Sequence, residues 1–109
     1  MARGLTRGDV RLVKLGAPDK MRPAVVLTRA SALAYLDRIT IAPVTTTIRD
    51  VPSEVLLGPD DGMKTPCVVN LHHVMTVPRK ALGRWVATLT PERTDDVCRA
   101  LAFALGCDD

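Results

Sequence analysis

An arginine and a group of threonines are the residues of this chain best suited to bind a phosphate. Arg22 stands directly before Pro23 and the aliphatic residues 24–27, a run without alternation that is typical of a strand buried on both faces. Three threonines, residues 45–47, follow the apolar stretch IAPV. A guanidinium at one strand end and hydroxyls at another can together hold phosphate oxygens. Ordinary strand propensity and strand-end capping are the alternative explanation for the threonines.

The two histidines, His72 and His73, are the other candidates for chemistry, since histidine can act as a general base near neutral pH. In a strand their side chains would face opposite sides, so at most one would reach a given pocket. The alternative is one surface histidine and one packed histidine. The carboxylates are scattered, and GxSxG, HExxH and Gly-rich phosphate-loop motifs are missing from the sequence, which disfavours the enzyme classes that depend on them.

The charge distribution predicts an acidic partner. The net charge of the 109 residues is +3, and residues 1–38 alone carry eight Lys or Arg against three Asp, a net +5. Such an asymmetry is typical of a surface that binds a phosphate backbone, although a solvated arginine-rich surface would give the same numbers. Tyr35, Trp85 and Phe103 are too few to form the stacking platforms of single-strand binders. Any nucleic acid is therefore expected to be held by charge, backbone and polar groups.

Length and cysteine usage restrict the class further. The length predicts a single domain over residues 1–109. Cys67, Cys98 and Cys107 share no metal-ligand spacing, and we expect free thiols in a reducing compartment. The N-terminus lacks the apolar segment of a signal peptide, and no apolar run is long enough to cross a bilayer. These features predict a cytoplasmic protein without a metal, a cofactor or a membrane contact.

A series of short strands followed by one helix is predicted to position these residues. Apolar and β-branched runs predict strands over residues 9–15, 21–27, 38–44 and 53–57, then over CVVN, HVMTV and GRWVATL. The third strand is expected to stop near Pro43, and residues 29–38 to form one helical turn or an irregular segment. Residues 58–66 are dense in Gly, Pro and Asp and predict a turn. The pattern favours a small barrel or a compact antiparallel sheet.

The closing helix has the clearest local signals. Thr90 is a good N-cap, Pro91 suits the first helical position, and Gly106 suits the left-handed residue that ends a helix. Its apolar residues recur at intervals of three and four and predict one buried stripe, docked on the sheet or on another subunit. The stripe consists of Val97, Ala100, Leu101, Ala104 and Leu105.

With these motifs, the chain resembles the MazF/PemK family of toxin endoribonucleases. The similarity runs in order through GDV, RPAVVL, PVTTT, SEVLL, CVVNLHHVMTVP and the closing helix. It implies a mainly β fold, an SH3-like small barrel of the CcdB/MazF/PemK type with a C-terminal α-helix. It also implies a homodimer that cleaves single-stranded RNA at short sequences without a metal. The ribose 2′-hydroxyl is then the nucleophile, and the products are a 2′,3′-cyclic phosphate and a 5′-hydroxyl.

The resemblance also implies roles for individual residues and partners. The family's active arginine falls on Arg22 and its active threonine on Thr45, so Arg22 is expected to stabilise the phosphorane and Thr45 to hold the phosphate. The substrate is expected to be messenger RNA, with transfer and ribosomal RNA as further candidates. The second expected partner is a cognate antitoxin whose acidic C-terminal tail covers the RNA groove. Further residues expected to contact RNA are Lys20, Thr46, Thr47, His72 and His73.

Two positions depart from the family pattern, and one rival function uses the same fold. The loop before Arg22 contains Asp19 and Lys20 where some relatives have a glutamate, and His72 replaces an aspartate of many relatives. The substrate preference is therefore expected to differ. The rival is a CcdB-like toxin that poisons a topoisomerase without cutting RNA, in which Arg22 and Thr45 have no paired role. A plain SH3-like interaction module would need an aromatic-lined groove, for which the chain has too few aromatic residues.

Overall fold

A computed structural model describes residues 4–15 and 20–107 of the chain. Within these residues, seven strands and one short helical turn precede a 15-residue helix. The elements are β1 (Asp9–Lys14), β2 (Met21–Val26), α1 (Ala30–Leu33), β3 (Arg38–Thr45), β4 (Glu54–Leu57), β5 (Cys67–Asn70), β6 (Met75–Pro78), β7 (Leu82–Thr88) and α2 (Pro91–Leu105). Three 3₁₀ turns lie between them, at Pro59–Asp61, Leu71–His73 and Arg79–Ala81.

The strands form one antiparallel sheet with the order β4-β5-β3-β2-β1-β7. The sixth strand, β6, pairs with the first half of β3, and β5 pairs with the last two residues of β3. Among the described strands, β4 and β7 end the order without pairing to each other, so the sheet is barrel-like but not closed. No helix in the described part of the chain is both long and apolar enough to span a bilayer.

Two apolar clusters stabilise the sheet. One joins the strands to α2 and includes Val10, Val25 and Val44 together with Val97 and Ala100 of the helix. The other, which contains Ile39 and Ile41, packs against α1. The predicted apolar stripe of α2 therefore docks on the sheet of the same chain. Its last member does not take part, since Leu105 is 66% exposed.

The local signals of α2 are confirmed. The Thr90 side-chain oxygen accepts a hydrogen bond from the backbone N–H of Arg93 at 3.1 Å, Pro91 is the first helical residue, and Gly106 ends the helix with a φ of 73°. These interactions satisfy terminal backbone groups that an α-helix leaves without partners. The single helical turn predicted within residues 29–38 is also present, as α1.

The predicted bounds of the third strand are confirmed to within one residue. We expected a strand over residues 38–44 that stops near Pro43, and β3 continues through this proline to Thr45. Pro43 pairs with Ala24 of β2, and on the other edge of β3 it lies between the segment paired with β6 and the segment paired with β5. Because that edge changes partner here, a proline without an N–H can be accommodated there.

Candidate nucleic-acid site

The first residues of β2 border an opening in the sheet. Pro23 pairs with β1, but the pairing of β2 with β3 begins only at Ala24, opposite Pro43. Continuing that register by two residues sets Arg22 across from Thr45, the last residue of β3. Because Pro23 has no N–H to offer to β3, it can stand on this unpaired side without breaking a ladder bond. Arg22 and Thr45 therefore flank the same gap, although 23 positions separate them in the chain.

These two residues line one cavity of about 250 Å³. Arg22 is exposed and Thr45 is half-buried, so a ligand can reach both. The first three residues of β2, the end of β3, the segment after the first 3₁₀ turn and the start of β5 form the walls. The other lining residues are Met21, Pro23, Val44, Thr46, Met63, Lys64, Thr65 and Cys67.

Among the described residues, no carboxylate neutralises the charge of Arg22. None of the described residues that line the cavity is acidic, and Arg22 takes part in no ion pair within residues 4–15 and 20–107. A guanidinium presents five N–H donors in a planar fork, which matches two oxygens of a phosphate. The cavity therefore has the charge and the donors to bind an anion of this shape.

The hydroxyl of Thr45 is oriented by its own chain. Its oxygen accepts a hydrogen bond from the backbone N–H of Thr47 at 3.1 Å, and this is its one hydrogen bond among the described residues. Since a hydroxyl both accepts and donates, its proton remains available for a phosphate oxygen. Thr46 also lines the cavity, whereas Thr47 contributes through this backbone contact.

Lys64 is a second cation at the cavity, and the sequence analysis missed it. Lys64 and Thr65 belong to the segment GPDDGMKTP, which is recognisable as a turn but not as part of a site. The one available signal was a lysine, without a neighbouring acid, at the end of an otherwise acidic turn. Lys64 is far from Arg22 along the chain, so no sequence pattern links the two residues. Only the tertiary fold places both at one cavity.

A buried carboxylate orients this turn. Asp61 accepts hydrogen bonds from the backbone N–H of Gly58 at 3.1 Å and from Nε of Arg93 in α2 at 3.0 Å. Gly62 follows with a φ of 87°, and a Cβ there would lie 2.9 Å from the Cβ of Ala87. Only glycine adopts this conformation readily at such a close approach. Asp61 is thus bonded to α2, while the basic residue that follows the turn, Lys64, lines the cavity.

The thiol of Cys67 forms part of the cavity wall. Burial raises its pKa, and the negative charge of Asp61 raises it further. The thiol is therefore protonated at neutral pH and adds no negative charge beside Arg22. Among the described residues, no group of three or more His, Cys, Asp or Glu side chains is placed to hold a metal ion.

The structure does not bring the remaining predicted residues to this cavity. Lys20 is exposed just before β2, and Asp19 lies outside the described residues. The prediction that His72 and His73 lie in a strand is wrong, because both belong to the 3₁₀ turn after β5. The side chain of Asn70 explains this turn: its Oδ1 accepts a hydrogen bond from the backbone N–H of His72 at 3.0 Å.

The histidines lie at the far end of β5 from the cavity. Val68 pairs with Thr45, and the chain then runs away from the Arg22–Thr45 gap towards the histidine turn. Both histidines are exposed, and Nδ1 of His73 is 3.3 Å from Nδ2 of Asn70. Contacts of these histidines and of Lys20 with RNA stay predictions.

The fold and the cavity define a class: a small barrel-like β protein, closed by a C-terminal helix, with a cationic cavity suited to a phosphodiester. The chain belongs to the PemK-like, MazF-like toxins of type II toxin-antitoxin systems, and the model of this family matches residues 6–105.

Similar proteins agree with this family over nearly the whole chain. The probable endoribonuclease MazF5 of Mycobacterium tuberculosis is 40% identical over 102 residues, which cover 93% of each chain. Endoribonuclease MazF3 of the same species is 31% identical over 99 residues, 91% of this chain and 96% of the relative. A solved mycobacterial endoribonuclease in complex with its cognate antitoxin gives a TM-score of 0.84 at 27% identity, covering 94% of this chain and 96% of the other.

These matches confirm the predicted family, the barrel-like β fold with a C-terminal helix, and the assignment as a toxin endoribonuclease. They do not favour the alternative of a CcdB-like toxin that binds a topoisomerase. The catalytic roles of Arg22 and Thr45 stay predictions at this point.

Proposed function

We propose that this chain cleaves single-stranded RNA at short sequences, without a metal, and that the cleaved phosphodiester binds in the Arg22–Thr45 cavity. The 2′-hydroxyl of the ribose attacks the adjacent phosphorus, and the products are a 2′,3′-cyclic phosphate and a 5′-hydroxyl. The observation that supports this most is the placement of Arg22 across from Thr45 in one cavity that no described acidic residue lines.

Arg22 stabilises the transition state in this proposal. As the 2′-oxygen bonds to phosphorus, the phosphorane gains negative charge on its non-bridging oxygens. The guanidinium fork can donate to two of these oxygens at once, whereas a lysine offers a point charge. Donors that are already in place where charge develops contribute roughly a hundred- to a thousand-fold in rate for each donor.

Thr45 and Lys64 support the same phosphate. The Thr45 hydroxyl, oriented by the N–H of Thr47, donates its proton to one phosphate oxygen. Lys64 supplies a second positive charge at the cavity. Because the nucleophile belongs to the RNA and both cations belong to the protein, the reaction requires no metal to activate water or to neutralise charge.

Two proton transfers complete the reaction. The 2′-hydroxyl loses a proton as its oxygen bonds to phosphorus, and the 5′-oxygen gains one as its bond to phosphorus breaks. Arg22 does not act as the base, because a guanidinium is not deprotonated in proteins. The Cys67 thiol, whose pKa is raised by burial, does not act as a thiolate base at neutral pH.

The proposal includes the partners of the chain. We expect one domain over residues 1–109 that forms a homodimer in the cytoplasm, and a cognate antitoxin whose acidic C-terminal tail competes with RNA for the cavity. A similar mycobacterial endoribonuclease has been solved with its cognate antitoxin, which supports this part. A positively charged cavity without described acidic lining residues suits an acidic tail as well as it suits RNA.

The test is cleavage of a long single-stranded RNA in EDTA, followed by sequencing of the ends. We expect cuts at a short recurring sequence, with a 2′,3′-cyclic phosphate upstream and a 5′-hydroxyl downstream. An oligonucleotide with a 2′-deoxy sugar at the mapped site should not be cut, because it lacks the nucleophile. Cleavage of the 2′-deoxy substrate, or an RNase activity that EDTA abolishes, would overturn the mechanism.

A further inference from the structure

A second cavity adjoins the Arg22–Thr45 cavity. It has a volume of about 610 Å³, and it extends between the turn at Gly62 and strand β7. Four residues line both cavities, so the two adjoin each other: Pro23, Met63, Lys64 and Thr65. The second cavity also has walls of its own, formed by Leu12, Arg84, Trp85 and Val86.

We call the two adjoining cavities together, from Arg22 past Lys64 to Arg84, the cationic groove. None of its described lining residues is acidic. Arg84 is exposed, and within residues 4–15 and 20–107 it has no ion pair or side-chain hydrogen bond. Three cations that have no carboxylate partner among the described residues therefore line the two adjoining cavities.

We propose that Arg84 binds the phosphate of a nucleotide that flanks the cleaved linkage. This inference rests on the proposed function, since it extends the same RNA strand beyond the Arg22–Thr45 cavity. A single strand carries one negative charge per nucleotide, so a strand held at Arg22 presents further phosphates along the groove. An exposed guanidinium without a carboxylate partner can bind such a phosphate in a bidentate manner.

The apolar lining agrees with a nucleotide rather than with an isolated ion. Leu12, Pro23, Met63 and Val86 line the second cavity beside the two cations, and such a surface can accommodate the face of a base or ribose. The Trp85 indole N–H already donates to the hydroxyl of Thr88 at 2.8 Å. We therefore assign the binding to charge, and no stacking by Trp85 is required.

The role predicted for Arg84 is binding, and kinetics can separate it from catalysis. Arg84→Gln should raise KM roughly tenfold, the scale of one charged hydrogen bond, while kcat changes less than about twofold. The slope of log affinity against log salt should also become less steep by about 0.7, as expected when one contact with a phosphate of a single strand is lost. Binding is measured with the uncut 2′-deoxy oligonucleotide.

Arg38→Gln is the matched control. Arg38 is also an exposed arginine, but it begins β3 and lines neither cavity. It lies seven positions before Thr45 in the same strand, a distance of about 23 Å along an extended chain. This substitution removes the same charge from the protein, so it reports the effect of net charge alone. We expect KM and the salt slope to stay close to their wild-type values.

A scan of the substrate identifies the phosphate itself. Each linkage beside the cut site is replaced in turn by an uncharged methylphosphonate. At one linkage, the methylphosphonate should weaken binding of the oligonucleotide to the wild-type protein roughly tenfold relative to the unmodified oligonucleotide. The same replacement should leave binding to the Arg84→Gln protein unchanged. If neutralisation weakens both proteins equally at every linkage, Arg84 contacts no phosphate and the inference is wrong.

Two further outcomes are distinguishable. If wild-type protein does not cleave RNA, the proposed function fails and the inference fails with it. If wild-type cleaves RNA but Arg84→Gln has an unchanged KM and salt slope, the proposed function stands and the inference is wrong. In the latter case, weaker binding of poly-glutamate by Arg84→Gln would assign the second cavity to an acidic peptide instead of RNA.

Discussion

Two arginine-containing regions of the molecule differ in what surrounds their guanidinium groups. In the cationic groove, Arg22 has no described carboxylate partner. On the α2 side, Arg93 donates from Nε to Asp61 at 3.0 Å and from Nη1 to Asp96 at 3.2 Å. Arg99 also donates to Asp96. The same residue type is therefore available to a ligand in one region and occupied in the other.

The difference shows how the fold separates binding from stabilisation. The hydrogen bond from Arg93 to Asp61 raises the pKa of Arg93, so its guanidinium stays charged at any ordinary pH. The Arg93–Asp61 ion pair connects the turn that contains Lys64 to α2. Its carboxylate, that of Asp61, is nearly fully buried. Arg22 has no ion pair among the described residues, so its charge is available for a phosphate. Of these arginines, Arg22 is thus the better candidate for catalysis.

The largest expected effect is on Arg22. Arg22→Lys keeps one positive charge but loses the planar fork, so cleavage should slow by at least about a hundred-fold, the scale of one oxyanion donor. Arg22→Ala should be slower still, and Thr45→Ala should fall between wild type and Arg22→Ala. Single-turnover rates on one RNA of known cut site measure the series.

The folded state should survive these substitutions. Arg22 is exposed and Thr45 is half-buried at a strand end, so their loss leaves no cavity in the core. Circular dichroism melts of each variant check this. If Arg22→Lys melts like wild type and cleaves at the wild-type rate, Arg22 is a surface arginine and its catalytic assignment is wrong.

An intermediate effect is expected on the α2 side, and it should appear in stability. Arg93→Ala leaves the buried Asp61 carboxylate without its cation, which should lower the free energy of unfolding by about 1–2 kcal/mol after allowance for the partial exposure of Arg93. Arg99→Ala is the matched control, because the Arg99 side chain is 72% exposed and its loss should cost less than about 0.5 kcal/mol. Urea unfolding of both variants measures the difference.

The comparison between the two regions depends on that contrast. An Arg93→Ala protein that is as stable as Arg99→Ala would show that the bond to Asp61 does not hold the turn. A folded Arg93→Ala protein should also lose less cleavage activity than Arg22→Lys, since Arg93 does not line the cavity where the phosphate is expected.

The smallest expected effect concerns Cys67 and pH. Its pKa is higher in the folded chain than the ordinary thiol value of 9.0, so the unfolded chain releases this proton first as the pH rises. The stability that the neutral thiol contributes is present below pH 9.0 and is lost as the pH rises through the folded pKa. Between about pH 8 and about pH 10, Cys67→Ala should therefore lose stability less steeply than wild type.

Cys107→Ala provides the reference for that experiment, because Cys107 is exposed. Its pH profile should run parallel to that of wild type in urea unfolding at each pH. Equal slopes for wild type and Cys67→Ala would mean that the thiol is not held neutral by the fold.

Sequence reasoning located most strands and the closing helix, and its errors have specific physical causes. The helix was predictable because Thr90, Pro91 and Gly106 act within one turn of its ends. The end of β3 was predicted one residue early, because the rule that proline interrupts a strand applies only where a neighbour needs its N–H. At Pro43 one edge of β3 changes partner, and this depends on strands far along the chain.

The histidine prediction failed for a different reason. HVMTV has the composition of a strand, but Asn70 accepts a bond from the N–H of His72 and starts a 3₁₀ turn, so β6 begins only at Met75. Such a side-chain bond to the backbone competes with strand pairing, and composition alone does not reveal which one forms.

By itself, the sequence determined the element types, the buried strand behind Arg22, the caps of α2 and the family. These depend on neighbours within a few residues, or on motifs that can be read in order. Only the tertiary structure decided that the register of β2 and β3, when continued, sets Arg22 across from Thr45. It also decided that Lys64 lines the same cavity and that Asp61 forms an ion pair with Arg93. Strand register and charge pairing are set by contacts between distant segments, so no local pattern in the chain specifies which arginine remains available for a ligand.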